Sequence, residues 1–150
     1  MRDVTHLIVH CSGSDATTPE SVRRFHMKVR GWIDAGYHVL IATDGTIHEL
    51  RPETKQGAHV AGMNANTLAV CLVGDLDKRP PSPAQLTSLE VVLVGWCSEH
   101  DLDPLTAILG HRETTSFVPR LLATKKTCPG RKTDMTTIRA AVASRLKAYR

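Results

Sequence analysis

The sequence predicts an α/β (α+β) domain: a central mixed β-sheet of about five strands flanked by about three main helices. Three observations lead there. The apolar runs Leu7–Val9, Leu68–Val73 and Thr106–Leu109 are too short for a helical face and are bounded by polar or turn residues, as buried strands are. Longer segments with apolar residues at helical spacing alternate with them, which calls for helices packed on a sheet. Asp44-Gly45 lies between two β-rich runs, the signal of a type I′ hairpin and hence of one antiparallel pair.

Taken in order, the first strand covers the stretch Thr5 to Ser12, with His10 where the apolar run stops. A polar loop follows, and Thr17 or Thr18 caps a helix with Pro19 near its first position and Glu20 completing a capping box with Thr17. That helix should run to about Arg30 with Val22, Phe25, Met27 and Val29 inward and His26 on the surface. Hairpin strands are expected over Tyr37–Thr43 and Thr46–Arg51, and the continuous apolar character of 68–74 marks a central strand covered on both faces. Ser82-Pro83 starts a helix reaching about His100, with Leu86, Leu89, Val92, Leu93 and Trp96 on one side, and Asp101 to Pro104 breaks it. A short strand at 106–109 ends at Gly110-His111, 114–130 is irregular, and Asp134 caps a last helix with Met135, Ile138, Val142, Leu146 and Tyr149 on one face.

At 150 residues and 41% hydrophobic, the chain fits one domain, 1–150, with a sizeable core. Nineteen Lys and Arg against fifteen Asp and Glu is a mild surplus that favours acidic partners without calling for specific nucleic-acid binding. No run of eighteen apolar residues and no export signal stand in the sequence, which predicts a protein that is cytoplasmic as synthesised. In that compartment Cys11, Cys71, Cys97 and Cys128 are expected to remain thiols, with Cys11, Cys71 and Cys97 packing as small hydrophobes.

Two imidazoles, His10 and His111, each follow a strand, where sheets with helices on their faces collect ligands. With Cys128 they make three metal donors, the number a catalytic zinc takes from protein while keeping a fourth position open. Such a metal polarises a carbonyl and brings the pKa of water from about 15.7 towards roughly 7. Spacing alone does not prove the site, since the three residues are far apart in the chain.

The surrounding blocks do more. I-V-H-C-S (8–12), G-W-I-D-A-G-Y-H-V-L-I-A-T-D-G-T (31–46), G-A-H-V-A-G-M-N-A-N (57–66), V-C-L-V-G (70–74), P-A-Q (83–85), G-H-R-E (110–113) and K-T-C-P-G (126–130) occur in one order over nearly the whole chain. Together they resemble the zinc-dependent N-acetylmuramoyl-L-alanine amidases of the amidase-2 and peptidoglycan-recognition-protein superfamily, closest to the single-domain lysozymes (endolysins) of T-odd phages. The resemblance implies zinc on His10, His111 and Cys128, Tyr37 and Lys126 as the catalytic pair, and His59 and Asn64 as cleft-wall residues touching substrate. It implies peptidoglycan as the substrate, cleaved between the lactyl group of N-acetylmuramic acid and L-alanine, for host lysis after the membrane is permeabilised. A monomer is expected, and a phage RNA polymerase is a second partner that some such lysozymes bind. Weak contact with anionic membranes through the basic last helix stands beside plain core packing as a reading of that helix.

Lys126 lies two residues before Cys128, so in an extended segment both side chains share a face. His38 alternates away from Tyr37 and reads as a buried structural residue, and Glu113 as supporting rather than catalytic. His111 and Cys128 stand farther apart than in the phage lysozymes, which makes Thr114–Lys125 an insertion beside the cleft. Some relatives use Asp in a K-T-D-P-G segment, but here Pro-Gly follows Cys128, and Asp134 is left to cap a helix. A nucleobase deaminase reading has only the H-x-E half of its signature, at 111–113, and lacks P-C-x-x-C. A non-catalytic peptidoglycan binder, or a polymerase-regulating module, remains the alternative to an enzyme.

Overall fold

A computed structural model describes residues 2–149. In chain order it contains β1 (His6–Cys11), α1 (Pro19–Arg24) continued by a π-helical turn (Phe25–Val29), β2 (Val39–Ile41), β3 (Ile47–Glu49), β4 (Thr67–Leu72), α2 (Pro83–His100), α3 (Pro104–Ala107), β5 (Ile108–Gly110) and α4 (Met135–Tyr149). Short 3-10 turns occupy Asn64–Asn66, His111–Phe117 and Arg120–Leu122. The strands form one mixed sheet in the order β3-β2-β4-β1-β5, with β2, β4, β1 and β5 parallel neighbours and β3 antiparallel to β2. No helix among the described residues is long and apolar enough to cross a membrane.

Strand alternation divides the side chains between two layers. Leu7, Val9, Val39, Ile41, Leu68, Val70 and Leu72 pack with Leu89, Leu93 and Trp96 of α2 and with Met135, Ile138, Val142 and Leu146 of α4. Each fully buried Leu or Ile in that layer contributes roughly 1.5–3 kcal/mol, so this face dominates stability. On the other face Leu40, Cys71 and Val73 meet Val22, Ala35, Leu50 and Tyr37. His10, Cys71 and Leu40 are in register across three strands, which puts His10 on this second, more thinly covered face.

Two junctions fix the ends of the sheet. Ser82 accepts from the Gln85 amide and Gln85 from that of Ser82, each at 3.0 Å, so α2 starts at Pro83. The buried Gln85 amide then donates to the Ile41 and Val73 carbonyls, tying α2 to the C-terminal ends of β2 and β4. Asp101, in the left-handed region at φ 53°, stops the helix.

Several local expectations are corrected. The box at the first helix is Thr18 with Ser21, not Thr17 with Glu20, because Thr18 is the residue in extended conformation before the first turn. Of the expected inward stripe only Val22 is buried; Phe25, Met27 and Val29 are exposed, and His26 takes the inward place because the helix widens into the π turn. The hairpin turn is not type I′, which needs positive φ at both central residues: Gly45 has φ +89°, but Asp101 is the one non-glycine with positive φ among the described residues. Gly45 donates to Ala42 O and Ala42 to Thr46 O, each at 2.9 Å, which is a three-residue connection with glycine at the left-handed position. A Cβ on Gly45 would also lie 2.9 Å from Ala84 O, so α2 presses on this turn. The hairpin strands are shorter than expected, Thr106 and Ala107 belong to α3 rather than the last strand, and Tyr149 is exposed.

Candidate metal centre and cleft

His10 leaves the end of β1 on the thinly covered face, 2% exposed, and His111 follows β5 on the neighbouring strand. Cys128 is carried to them by a turn pressed against Gly110, where any side chain would meet Pro129 Cδ at 2.8 Å. One ligand atom from each of the three lies within 4.8 Å of the other two, and Cys128 Sγ is 3.6 Å from His10 Nδ1. The three residues separated in sequence therefore converge. Asp134 is elsewhere, accepting from the Thr137 amide and hydroxyl at the start of α4.

A hydrogen-bond chain decides which nitrogen of His10 faces this point. The Thr67 hydroxyl donates to the Met63 carbonyl at 2.8 Å, so it must accept from His59 Nε2, 3.0 Å away. With its proton on Nε2, His59 has a lone pair on Nδ1 and accepts from His10 Nε2 at 2.9 Å. His10 Nδ1 is therefore unprotonated, and it is the atom beside Cys128 Sγ. A carbonyl three links away thus presents a lone pair at the donor cluster, an arrangement suited to a metal ion.

Electrostatics agree. Burial, then the nearby His59 and His111 rings, holds His10 well below the usual imidazole range. Burial likewise depresses His59, with His38 and His111 adding to it, and burial and Lys126 lower His111. All three imidazoles are thus neutral at neutral pH, which leaves His10 and His111 able to coordinate. The Cys128 thiol is pushed up, first by its hydrogen bond with the Cys11 side chain and then by burial, the Cys11 backbone amide acting the other way. In this protein only a strong local positive charge would offset that cost, which a divalent cation supplies. The residues present therefore fit such an ion.

The centre opens into a cleft of about 1140 Å³ lined by Tyr37, His59, Asn64, Lys126 and the ligand trio, and by Phe25, His26, Arg30 and Trp32 farther along. Tyr37 precedes β2, with its ring 5.0 Å from that of His10. Burial raises its phenol well above the usual value, keeping it a proton donor. Lys126 is an exposed residue of the cleft lining, close enough to His111 to lower it. Asn64 Oδ1 accepts from the His59 and Val60 amides, both at 2.9 Å, which orders the segment bearing His59. His59 lines the cleft while both its ring nitrogens are engaged inside the protein.

His38 is buried, its Nδ1 accepting from the Ala69 amide at 3.1 Å and its Nε2 donating to Lys55 O at 2.8 Å, the structural role expected of it. Cys11 packs on the core as expected, and its backbone amide in addition donates to Cys128 Sγ at 3.3 Å. Glu113 accepts from the Gly110 amide and pairs with Arg139 through both carboxylate oxygens, a supporting role. Arg112 was not anticipated: its amide donates to Cys128 O, and its guanidinium to the Thr127, Gly130 and Thr133 carbonyls, stapling the Cys128 turn. Its place beside His111 in G-H-R-E was the available signal. Asp77 grips the same turn through the Thr127 hydroxyl and the Arg131 amide. The insertion forms 3-10 turns whose Val118 and Leu122 pack over Gly62, leaving Leu121 exposed. The apolar face of α4 is spent on the core.

A family model described as N-acetylmuramoyl-L-alanine amidase matches residues 1–131. An endolysin of Klebsiella phage KP32 is 39% identical over 100 residues, 62% of this chain and 66% of that protein. An endolysin of Enterobacteria phage K11 is 34% identical over 122 residues, 75% of this chain and 77% of that one. Among solved structures, the N-acetylmuramoyl-L-alanine amidase LysC from Clostridium intestinale URNW superposes with a TM-score of 0.81 at 26% identity, covering 93% of this chain and 85% of that one.

Proposed function

Because this chain belongs to the N-acetylmuramoyl-L-alanine amidase family and is a peptidoglycan amidase of the phage endolysin kind, we propose that it uses zinc held by His10, His111 and Cys128 to hydrolyse its amide. The bond is the one joining the lactyl group of N-acetylmuramic acid to the L-alanine that opens the stem peptide. The observation that carries this reading is the convergence of one sulfur and two neutral imidazoles within 4.8 Å at the floor of a wide cleft.

Zinc bound there supplies a Lewis acid for the carbonyl and a means of deprotonating water at neutral pH. The chain supplies orientation and charge. His59 and Thr67 hold His10 with its Nδ1 lone pair inward, and Arg112 and Asp77 hold the Cys128 turn. Tyr37, protonated and beside His10, donates to the negative charge developing on the carbonyl oxygen. Lys126 adds a positive charge on the His111 side of the centre, and Asn64 with the outer edge of His59 forms the wall along which the substrate lies. The wall polymer lies outside the cytoplasmic membrane, and the protein reaches it once that membrane is permeabilised.

The test is a digest of purified sacculi with metal analysis of the same protein. Stoichiometric zinc and new L-alanine amino termini, lost with a chelator and restored by zinc, are expected. Binding to sacculi with no new amino termini would leave a recognition module instead, and new reducing sugar ends would indicate a glycosidase.

A further inference from the structure

We propose that His26 is a positioning residue for Tyr37, held in place by a π-helical turn that exists to turn its ring inward. The inference rests on the role assigned to Tyr37 above. The first helix widens at Phe25–Val29, where the Arg30 amide reaches back to Phe25 O at 3.1 Å. π turns of this kind add one residue to a helical turn and concentrate at functional sites. Here the added residue rotates His26 to 8% exposure between Phe25 at 45% and Met27 at 42%.

The inward ring has a defined task. Its Nδ1 accepts from the Gly36 amide at 2.7 Å, in a buried setting, and its face lies 4.6 Å from Trp32 and 5.4 Å from Tyr37. Gly36 cannot move aside: a Cβ there would stand 2.2 Å from Ala58 O, and its own carbonyl accepts from the Ala58 amide. Arg51 holds the Ala35 carbonyl at 2.7 Å and that of Asp34 at 3.1 Å. The carbonyls of 34–36 are thus fixed from one side and the Gly36 amide from the other, by His26. Tyr37 is the next residue, so the acceptor on His26 sets where the phenol stands over the metal centre. Without it a buried N–H is orphaned and the segment relaxes.

The experiment compares His26→Leu and His26→Asn in the wild-type and Tyr37→Phe backgrounds, with kcat and KM on soluble muropeptide, bound zinc and Tm. Asparagine places its Oδ1 where Nδ1 stands and keeps the acceptor. Displacement of a reacting group by about 1 Å costs on the order of 10²-fold, so His26→Leu should lower kcat roughly 10- to 100-fold with KM and zinc content unchanged. His26→Asn should recover most of it, and His26→Leu should add little once Tyr37 is Phe. Should the Leu variant melt below the assay temperature, Gln, whose oxygen falls at Nε2, replaces it in the comparison with Asn. A raised KM at constant kcat, or the same fold-loss in both backgrounds, would overturn the inference. Full activity of Tyr37→Phe would instead remove the role of Tyr37, and the inference with it.

Discussion

Thr67→Val is the sharpest probe of the metal centre because it removes one oxygen atom that touches neither substrate nor metal donor. The residue is fully buried, and valine matches its shape. Its hydroxyl both accepts from His59 Nε2 and donates to Met63 O. Removing it takes a partner from His59 Nε2 and from the Met63 carbonyl, both part-buried, a cost of up to about 1–3 kcal/mol for the more enclosed of the two when nothing rearranges. His59 can escape part of that cost by moving its proton to Nδ1. That tautomer cannot accept from His10, whose own proton then shifts to Nδ1 and points at the donor cluster. Either way the metal-competent state loses about 1–2 kcal/mol, a factor of roughly 5–30, which overlaps the lower part of the range of about 10–100-fold typical for removal of such outer partners. The assay is zinc affinity by competition with a chromophoric chelator, with Tm of the chelated protein as the control for stability. Unchanged affinity alongside an unchanged fold would refute the tautomer argument.

Cys128→Ser should abolish stoichiometric zinc and sacculus hydrolysis, whereas Asp134→Ala should keep both and lower stability only slightly, through loss of a helix cap, read by metal analysis and denaturant titration. Gly110→Ala should destabilise by about 1–3 kcal/mol and weaken zinc binding, since its Cβ would stand 2.8 Å from Pro129 Cδ and push the Cys128 turn from His111. His38, lowered to about 4 chiefly by burial, binds its proton less readily folded than unfolded. Its contribution is therefore whole above about pH 6.5 and is lost as pH falls towards 4, at most about 3 kcal/mol. Tm of the chelated protein against pH should show that decline, and His38→Gln should make it shallower, the remainder coming from His10, His59 and His111.

Much of the architecture was legible along the chain. Short continuous apolar runs place β1 and β4, period-3.6 patterns place α2 and α4, and the Ser82-Pro83 cap and Asp101 break bound α2 closely. The donor types at the site were legible too, since His10 and His111 each stand where an apolar run ends. The misreadings share one cause. His26 was placed on the surface because a regular helical period was assumed, and the widened turn that brings it inward is stabilised by a bond to Gly36 in another segment. The hairpin turn was assigned from a dipeptide, while its actual form answers to the pressure of Ala84 from α2. The bonds of His59 to Thr67 and His10, and those of Arg112 to the Cys128 turn, have no local signal, because those partners lie outside any local window.

The amino-acid sequence by itself determined which segments bury apolar faces and which side chains can donate to a metal, because period and residue chemistry are local properties. Only the tertiary structure decided that three distant donors meet, that His10 offers Nδ1 rather than Nε2, and that the Tyr37 ring lies 5.0 Å from that of His10. Those outcomes depend on hydrogen bonds closed between strands and loops far apart in the chain, whose direction is set at a remote end, by a hydroxyl on β4 donating to the carbonyl of Met63.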